Sequence, residues 1–358
     1  MHRVIHRGAL RHRTQKDRGA SAVLVGLLLV PLLGFAALAI DIAAMHADKQ
    51  LLQTGADAAA LAVAQDCAKG ECGDPDATAS EMATQNNPFG GSASATITRL
   101  DTDEGVVTVR TESSRNHFLA PIIGIDDADI AAAATARWGY PSSGAAVLPF
   151  TLGACEILSQ VPGLTAQYDD AGNIIRIDFP EDAPPVTVEF TKTNDVGDCT
   201  GPSGLAVPGG FGWLDPGAGC TGPVATIDSW VQTSVGNTLP QGCSNADFLA
   251  LIGETVLIPI FDQAVDNGTN AQYHIIGFAA FTLTEYYFGG QNRSPGGQGL
   301  CAGMGGGGGG GGGGGNDNAN NARCLQGTFE RFVDASGEYE LDPDAPQLGA
   351  AIVRLTLN

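Results

Sequence analysis

The most conspicuous feature of the hydrophobic pattern is an uninterrupted apolar run near the start of the chain. Residues 19–40 (GASAVLVGLLLVPLLGFAALAI) contain no charged side chain. A helix of this length covers about 33 Å, enough to cross the ~30 Å hydrocarbon core of a bilayer. Pro31 lies in mid-run, where membrane helices tolerate proline better than soluble helices do. The pattern predicts a transmembrane helix over residues 19–40, with Gly19, Pro31 and Asp41 as its anchor residues.

Two other interpretations of this run remain open. A cleaved secretory signal peptide is one, since Ala37-Leu38-Ala39 offers a small-x-small cleavage site. Against it, the charged leader is long and the apolar run exceeds the usual length of a signal core. Processing like that of a type IV pilin is the other, but Leu24 stands where such precursors carry Glu. A retained anchor is the favoured interpretation.

Beyond the span, the pattern predicts that the helix continues over residues 41–66. Small and apolar residues recur there at steps of three and four, which is the helical repeat. Leu51, Asp57 and Leu61 are the residues we assign to helix packing, against either similar helices or the chain's own head. The full predicted stripe is Ala44, Ala47, Leu51, Thr54, Ala58, Leu61 and Gln65.

The rest of the chain alternates in the manner of strands. A short helix is predicted at 77–86, a hairpin over 94–111, a turn at 170–173 and strands at 186–192, 255–262, 273–288 and 350–358. We therefore predict an α+β fold in four parts: a basic leader (1–18), the span (19–40), a small α+β region (41–140) and a β-rich, disulfide-stapled domain (145–358). Eleven consecutive glycines at 305–315 predict a flexible loop in the last part.

Charge is distributed unevenly along the chain. The net charge is −21, yet residues 1–18 carry six cations and one anion. The positive-inside rule therefore predicts a cytoplasmic N-terminus, a single pass and an extracytoplasmic head in the cell membrane. An acidic chain of this kind is not expected to bind nucleic acid, which requires a basic surface.

All the cysteines follow the apolar run, which indicates disulfides in an oxidising compartment. Cys67 and Cys72 form a predicted local pair. For the other six, sequence-adjacent pairing is the simplest expectation among fifteen connectivities. The eight positions are Cys67, Cys72, Cys155, Cys199, Cys220, Cys243, Cys301 and Cys324.

Several ordered features make residues 18–65 resemble the N-terminal module of TadE/TadG-like proteins of tight-adherence (Flp) pilus assembly. They are Arg18-Gly19-Ala20, Pro31, Asp41, Leu51-Leu52-Gln53 and the run Asp57-Ala58-Ala59-Ala60-Leu61-Ala62. The resemblance implies a membrane-anchored accessory protein of a pilus or related secretion machine. Its implied partners are the lipid bilayer and other pilus-assembly proteins, with a TadE- or TadF-type protein as one candidate.

The search for catalytic chemistry favours a protein that is not an enzyme. No G-x-S-x-G turn marks a nucleophile, and the glycine run lacks the Gly-Lys-Ser/Thr of a phosphate loop. His274 lies in a strand-like context that favours a structural role. We expect no cofactor and no metal site. The alternatives to a pilus role are an anchored surface-binding module and, less favoured, a cell-wall hydrolase.

Overall fold

The computed structural model describes residues 17–86, 93–180, 184–190, 211–216, 219–234, 239–265, 272–301, 323–333 and 339–356. The helices are α1 (Asp17–Ala68), α2 (Pro75–Gln85), α3 (Ala154–Gln160) and α4 (Asn245–Leu249), with a 3-10 turn at Ala120–Ile123. The first strands are β1 (Ser94–Asp101), β2 (Val106–Asn116), β3 (Asp127–Ala145), β4 (Phe150–Gly153), β5 (Thr165–Tyr168), β6 (Ile174–Asp178), β7 (Val186–Phe190) and β8 (Phe211–Trp213). The remaining strands are β9 (Val224–Thr226), β10 (Ser229–Gln232), β11 (Thr255–Val265), β12 (Gln272–Tyr287), β13 (Arg323–Glu330), β14 (Glu340–Asp342) and β15 (Ile352–Thr356).

Helix α1 joins the apolar run to the head without a break. It contains 52 residues, so it is about 78 Å long, and Pro31 lies inside it. The large apolar side chains of its first half are exposed, whereas one face of its second half is buried. This confirms the predicted continuation of the helix beyond the span.

The sheet next to α1, here called the proximal sheet, is built around the long strand β3. β2 pairs with one edge of β3 over residues 127–137, and β15 pairs with the opposite edge in the middle of the strand, over residues 135–139. β14 and β9 pair with the end of β3, and all these pairs are antiparallel. β1 completes the hairpin with β2, as predicted. β3 continues through residues 140–144, where the domain boundary was placed, so both predicted regions contribute strands to one sheet. The division into domains itself stays a prediction.

The second sheet, here called the distal sheet, contains seven strands in the order β7-β13-β12-β11-β4-β8, with β10 also paired to β12. Its pairs are antiparallel except for β11 with β4. The separate hairpin β5–β6 encloses the turn predicted at 170–173. These elements confirm the α+β class and the β-rich second part.

Alternation along the strands shows how the layers stack. In β15, Ile352 faces a core shared with the distal sheet, whereas Val353 faces α1. In β11, Leu257 faces the shared core, whereas Val256 and Ile258 face the opposite side. Because neighbouring strand residues point to opposite faces, the head has four layers. Their order is α1 with α2, the proximal sheet, the distal sheet, and finally α3 with α4.

The two outer cores differ in composition. The alanine core, between α1 and the proximal sheet, consists mainly of Ala56, Ala59, Ala60, Val63, Ala64, Ala68, Val107, Val109, Ala134, Ala136, Trp138 and Tyr140. The aromatic core, on the far side of the distal sheet, is centred on Phe150, Phe179, Trp213, Phe248, Phe281, Tyr286, Phe288 and Phe329.

The buried stripe of α1 differs in phase from the predicted one. It contains Leu52, Ala56, Ala59, Ala60, Val63 and Ala64. Thr54 and Gln65, which the predicted stripe included, are exposed. The observed stripe follows the same three-and-four repeat, displaced by about one residue. Helix α1 packs on its own head through this stripe.

Three of the predicted disulfides are present. Cys67–Cys72 joins Cα atoms 3.9 Å apart, Cys220–Cys243 joins Cα atoms 4.5 Å apart, and Cys301–Cys324 joins Cα atoms 5.8 Å apart. The predicted 155–199 pair involves Cys199, which lies outside the described residues, as does the glycine run 305–315.

Candidate functional site at the junction of helix and head

The candidate site is the place where α1 leaves its exposed apolar half and meets the head. Asp41 follows the last residue of the apolar run, yet it is only 4% exposed. Its Oδ1 accepts a hydrogen bond from the N–H of Phe118 at 2.9 Å. Its Oδ2 accepts two more, from Leu119 at 3.1 Å and from Ala120 at 2.8 Å.

These donors belong to the exit loop, defined here as residues 117–125, which connects β2 to β3 and contains the 3-10 turn. Consecutive backbone N–H groups that converge in this way form an anion-binding nest. Burial by itself raises the pKa of Asp41, but the three backbone hydrogen bonds and the nearby His117 outweigh it, so the pKa is lowered. The carboxylate is therefore held ionised and ties the exit loop to the helix.

A second polar contact lies about two helical turns further along α1. Arg115, at the end of β2, forms an ion pair with Asp48 of the helix. The guanidinium carbon of Arg115 also lies 5.2 Å from the ring centroid of Phe118, within the range of a cation–π contact. The exit loop and the strand that leads into it are thus both attached to α1.

Further polar contacts follow the helix into the head. The buried Thr111 hydroxyl donates to the Leu52 carbonyl at 2.9 Å. The Gln53 amide donates to Asp57 Oδ1 at 2.8 Å and to the Ala133 carbonyl at 3.2 Å. These bonds attach α1 to β2 and β3, the two central strands of the proximal sheet. They fix the register of the helix on a surface that offers few large side chains to interlock.

The carbonyl groups at the end of α1 are also bonded. The Tyr140 hydroxyl donates to the Ala68 carbonyl at 2.7 Å, and Arg176 Nη2 donates to the Lys69 carbonyl at 2.8 Å. Burial raises the pKa of Tyr140 to about 12, so its hydroxyl keeps the proton that it donates. A cation near a helix C-terminus is favourable because the helix dipole is negative there. A cavity of about 50 Å³ lies beside this cap.

The residues assigned from sequence lie along this helix as follows. Gly19 and Pro31 are in its exposed half, and Asp41 is at the junction. Leu51, Asp57 and Leu61 are half-buried, and Leu61 packs against the edge of the alanine core. Asp57 accepts the bond from Gln53. Sequence reasoning missed the exit loop, because its backbone N–H donors lie 77 to 79 positions after Asp41 in the chain.

Titratable groups elsewhere in the head have other partners. His274 Nδ1 lies 2.7 Å from Asp262 Oδ1, and its ring lies 5.1 Å from that of Trp230. Glu156, at the start of α3, is 5% exposed, and among the described residues its Oε2 has no hydrogen-bond partner. Burial raises its pKa to about 8, opposed in part by a backbone hydrogen bond from Gly153. No cluster of potential metal ligands occurs among the described residues.

Helix α1 is suited to a bilayer by length and composition. From Ala22 onward it is the one helix, in the described part of the chain, long and apolar enough to cross a membrane. The most apolar stretch has no buried residue, so the head does not cover its apolar surface.

Comparison with protein families gives a match over residues 19–66. The matching family is Tad, described as putative Flp pilus-assembly TadE/G-like. The resemblance predicted from the sequence is thereby confirmed for this N-terminal module, which supports a pilus-related role and a membrane-anchored protein. No match was found among the curated proteins or among the solved structures.

Proposed function

We propose that the protein is an accessory structural component of a tight-adherence (Flp-type) pilus assembly or a related secretion machine. In this proposal α1 spans the cell membrane once, and the head lies on the extracytoplasmic side. The partners are other pilus-assembly proteins, a TadE- or TadF-type protein among the candidates.

The observation that carries the proposal is the coincidence of the family match with α1. The matched residues 19–66 contain both the exposed apolar half of the helix and the half that packs on the head. The module is therefore one continuous helix that couples the bilayer directly to the proximal sheet. A component of this shape holds its head at a fixed distance from the membrane, which suits an assembly scaffold.

The orientation rests on the basic leader. Six cations in residues 1–18 favour retention of this end in the cytoplasm. Protease treatment of intact cells or spheroplasts tests it: the head should be digested from outside while a tag on the leader stays protected. Protection of the head with loss of the tag would reverse the orientation.

The assembly role is tested by counting surface filaments in a deletion strain by electron microscopy. We expect filaments to disappear and to return when the intact gene is supplied on a plasmid. Unchanged filaments, in a strain shown to make them, would overturn the assembly role and leave an anchored binding module as the working hypothesis.

A helix exchange sharpens the same test. Residues 19–40 are replaced with an unrelated apolar span of equal length, while Asp41 and everything after it are kept. If the span contacts other assembly proteins within the bilayer, the exchanged chain should accumulate normally, as judged by immunoblot, and yet fail to restore filaments. Full restoration would show that the first half of the module is only an anchor.

We also propose that the role is structural and not catalytic. The pairing of His274 with Asp262 on adjacent strands supports a structural use of that histidine. Zymography of the full chain in detergent, against cell-wall polymer, tests this. A cleared zone that persists in a His274→Gln variant would indicate hydrolysis at another site, and one that this variant abolishes would indicate a catalytic histidine.

A further inference from the structure

The exit loop presents apolar side chains where the head meets the exposed half of α1. Phe118 is 67% exposed, Ile122 is 84% exposed and Ile125 is 50% exposed. Three large apolar side chains so exposed within eight residues form a patch that the head itself does not cover. Exposed apolar patches of this kind mark interaction surfaces.

The position of the patch is fixed by the contacts of Asp41. The N–H groups of Phe118, Leu119 and Ala120 all lie within 3.1 Å of its carboxylate. Asp41 directly follows Ile40, the last residue of the apolar run, and both Ile40 and Ile42 are exposed. The loop that carries the apolar patch is therefore held against α1 directly after the end of the apolar run.

We propose that the exit loop is a second membrane contact, which inserts Phe118, Ile122 and Ile125 into the interfacial layer of the bilayer beside the spanning helix. The occupant of the patch is lipid. This inference requires only that α1 is embedded in a membrane, and it does not depend on the pilus role.

The charges around the loop indicate which lipid property matters. Asp126, Asp127 and Asp129 follow the patch directly, and the cation beside it, Arg115, is already paired with Asp48. Anionic headgroups would be repelled by these carboxylates. The contact is therefore made by apolar insertion, as in interfacial segments without a basic face, and it should not require anionic lipid.

Two contacts make the loop a wedge attached to the helix. Asp41 holds its backbone, and Arg115 lies against the ring of Phe118. With a spanning helix and an attached loop that both contact the bilayer, the head is fixed in tilt and in rotation about the axis of α1. A single spanning helix alone would leave that rotation free.

Spin labelling of the full chain in zwitterionic bilayers tests the proposal. A nitroxide is attached to Ile122→Cys and, as the matched control, to Val224→Cys. Val224 is 66% exposed and pairs with the far end of β3, about 60 Å along the strand from Asp127. The unsubstituted chain taken through the same labelling supplies the background.

The expected result is a several-fold higher ratio of oxygen collisions to nickel-chelate collisions at position 122 than at position 224. Lipids that carry a paramagnetic ion at the headgroup should also broaden the 122 signal and leave the 224 signal unchanged. If Ile122→Cys does not fold, Ile125→Cys is used with the same expectation. Addition of anionic lipid should not raise the ratio.

Three outcomes would overturn the proposal. Equal nickel-chelate access at both positions would place the loop in water. A label at 122 shielded from both reagents would indicate a protein partner and not lipid. A contact that appears only with anionic lipid would contradict apolar insertion. In the Asp41→Asn background, the label at 122 should become more mobile and more accessible to the nickel chelate, since an amide has one acceptor oxygen in place of two and the attachment of the loop is weakened.

Discussion

The alanine core and the aromatic core stabilise the same head by opposite means. Under α1, small side chains allow the helix backbone to approach the proximal sheet closely, and Ala56, Ala59 and Ala60 are completely buried there. On the far side of the distal sheet, large rings such as Phe248, Phe281 and Tyr286 fill the space instead. A core of small residues is stabilised by the close approach of helix and sheet, so it has no space for a larger side chain. A core of aromatic rings is stabilised by the large apolar area that the rings bury, so it is sensitive to truncation of a ring.

The two cores also differ in the hydrogen bonding of their polar groups. The alanine core has hydrogen bonds from Thr111, Gln53 and Tyr140 to fix the helix in register. The aromatic core region instead buries Glu156, whose Oε2 has no hydrogen-bond partner among the described residues. The aromatic core also has directional bonds, such as that from the Tyr286 hydroxyl to Asn245 Oδ1 at 2.9 Å, so the two cores differ in the unpaired buried carboxyl oxygen and not in the presence of hydrogen bonds.

Truncation should damage the aromatic core most. Phe281→Ala removes a completely buried ring that contacts Phe329 with centroids 4.9 Å apart, and should cost about 3–5 kcal/mol. Hydrogen exchange measured on peptides of the full chain in detergent should show the loss in β11–β13 and less in α1. Tyr168→Ala, at an exposed position of β5, is the control. Equal loss of protection in β11–β13 and in α1 would mean that the two cores unfold as one unit. The contrast between the cores would then be wrong.

The buried carboxyl should make the far side of the head sensitive to alkali. Since the folded pKa of Glu156 is raised from 4.5 to about 8, its contribution is complete below pH 4.5 and is lost as the pH rises through 8. The slope should approach about 1.4 kcal/mol per pH unit in that interval. Tyr273, which faces Glu156, keeps its proton there, because burial and Glu156 raise its pKa to about 12.

Glu156→Gln should flatten this dependence, as measured by denaturant unfolding at pH 5, 6.5 and 8. Glu71→Gln, at an exposed carboxyl, is the matched control and should leave the slope unchanged. A wild-type chain that is equally stable at all three values would show that Glu156 is ionised in the fold without cost.

Enlargement should damage the alanine core and spare the exposed half of the same helix. Ala60→Leu inserts three carbons where the exposed area is zero, and should cost about 1–3 kcal/mol. Ala36→Leu makes the same change on the exposed half of α1 and should be neutral. Hydrogen exchange measured on peptides from β2 and β3 should show the loss of stability. A neutral Ala60→Leu would show that the helix can move away from the sheet freely.

The smallest effect is expected from a single register bond. Thr111→Val keeps the shape of the side chain and removes its hydrogen bond to the Leu52 carbonyl, at a cost of about 1 kcal/mol. The loss should appear as faster exchange in α1 around Leu52. Thr98→Val, at an exposed position of β1, serves as the control, and equal effects of the two would remove the special status of the buried bond.

Local pattern predicted much of this architecture, because the elements that it found are defined by their own residues. The helix through residue 66, the 94–111 hairpin and the 170–173 turn all depend on neighbouring side chains. The phase of the buried stripe could not be found in this way. Almost every face of α1 between Gly55 and Ala64 carries small residues, so hydrophobicity does not distinguish Ala58 from Ala59.

Contacts between distant residues were beyond local reasoning. Asp41 could be assigned to the membrane exit, but its donors come from a loop whose own pattern says nothing about a carboxylate. The short strands β8, β9 and β10 were likewise missed, since three or four residues among glycines and prolines show no repeat. The sequence therefore identified the Asp41 carboxylate of the candidate site, but not the backbone N–H groups of the exit loop that bind it.

The pairing of β15 with β3 has a consequence for the order of events during synthesis. The Thr356 hydroxyl bonds to the Thr135 carbonyl, 221 positions earlier. The anchor enters the membrane first, and β3 must then wait with one edge unpaired while the entire distal sheet is translated. A ribosome that stops early therefore leaves an open strand edge beside the membrane, available to proteases and to other strands. Closure of the anchored sheet therefore depends on translation through to β15.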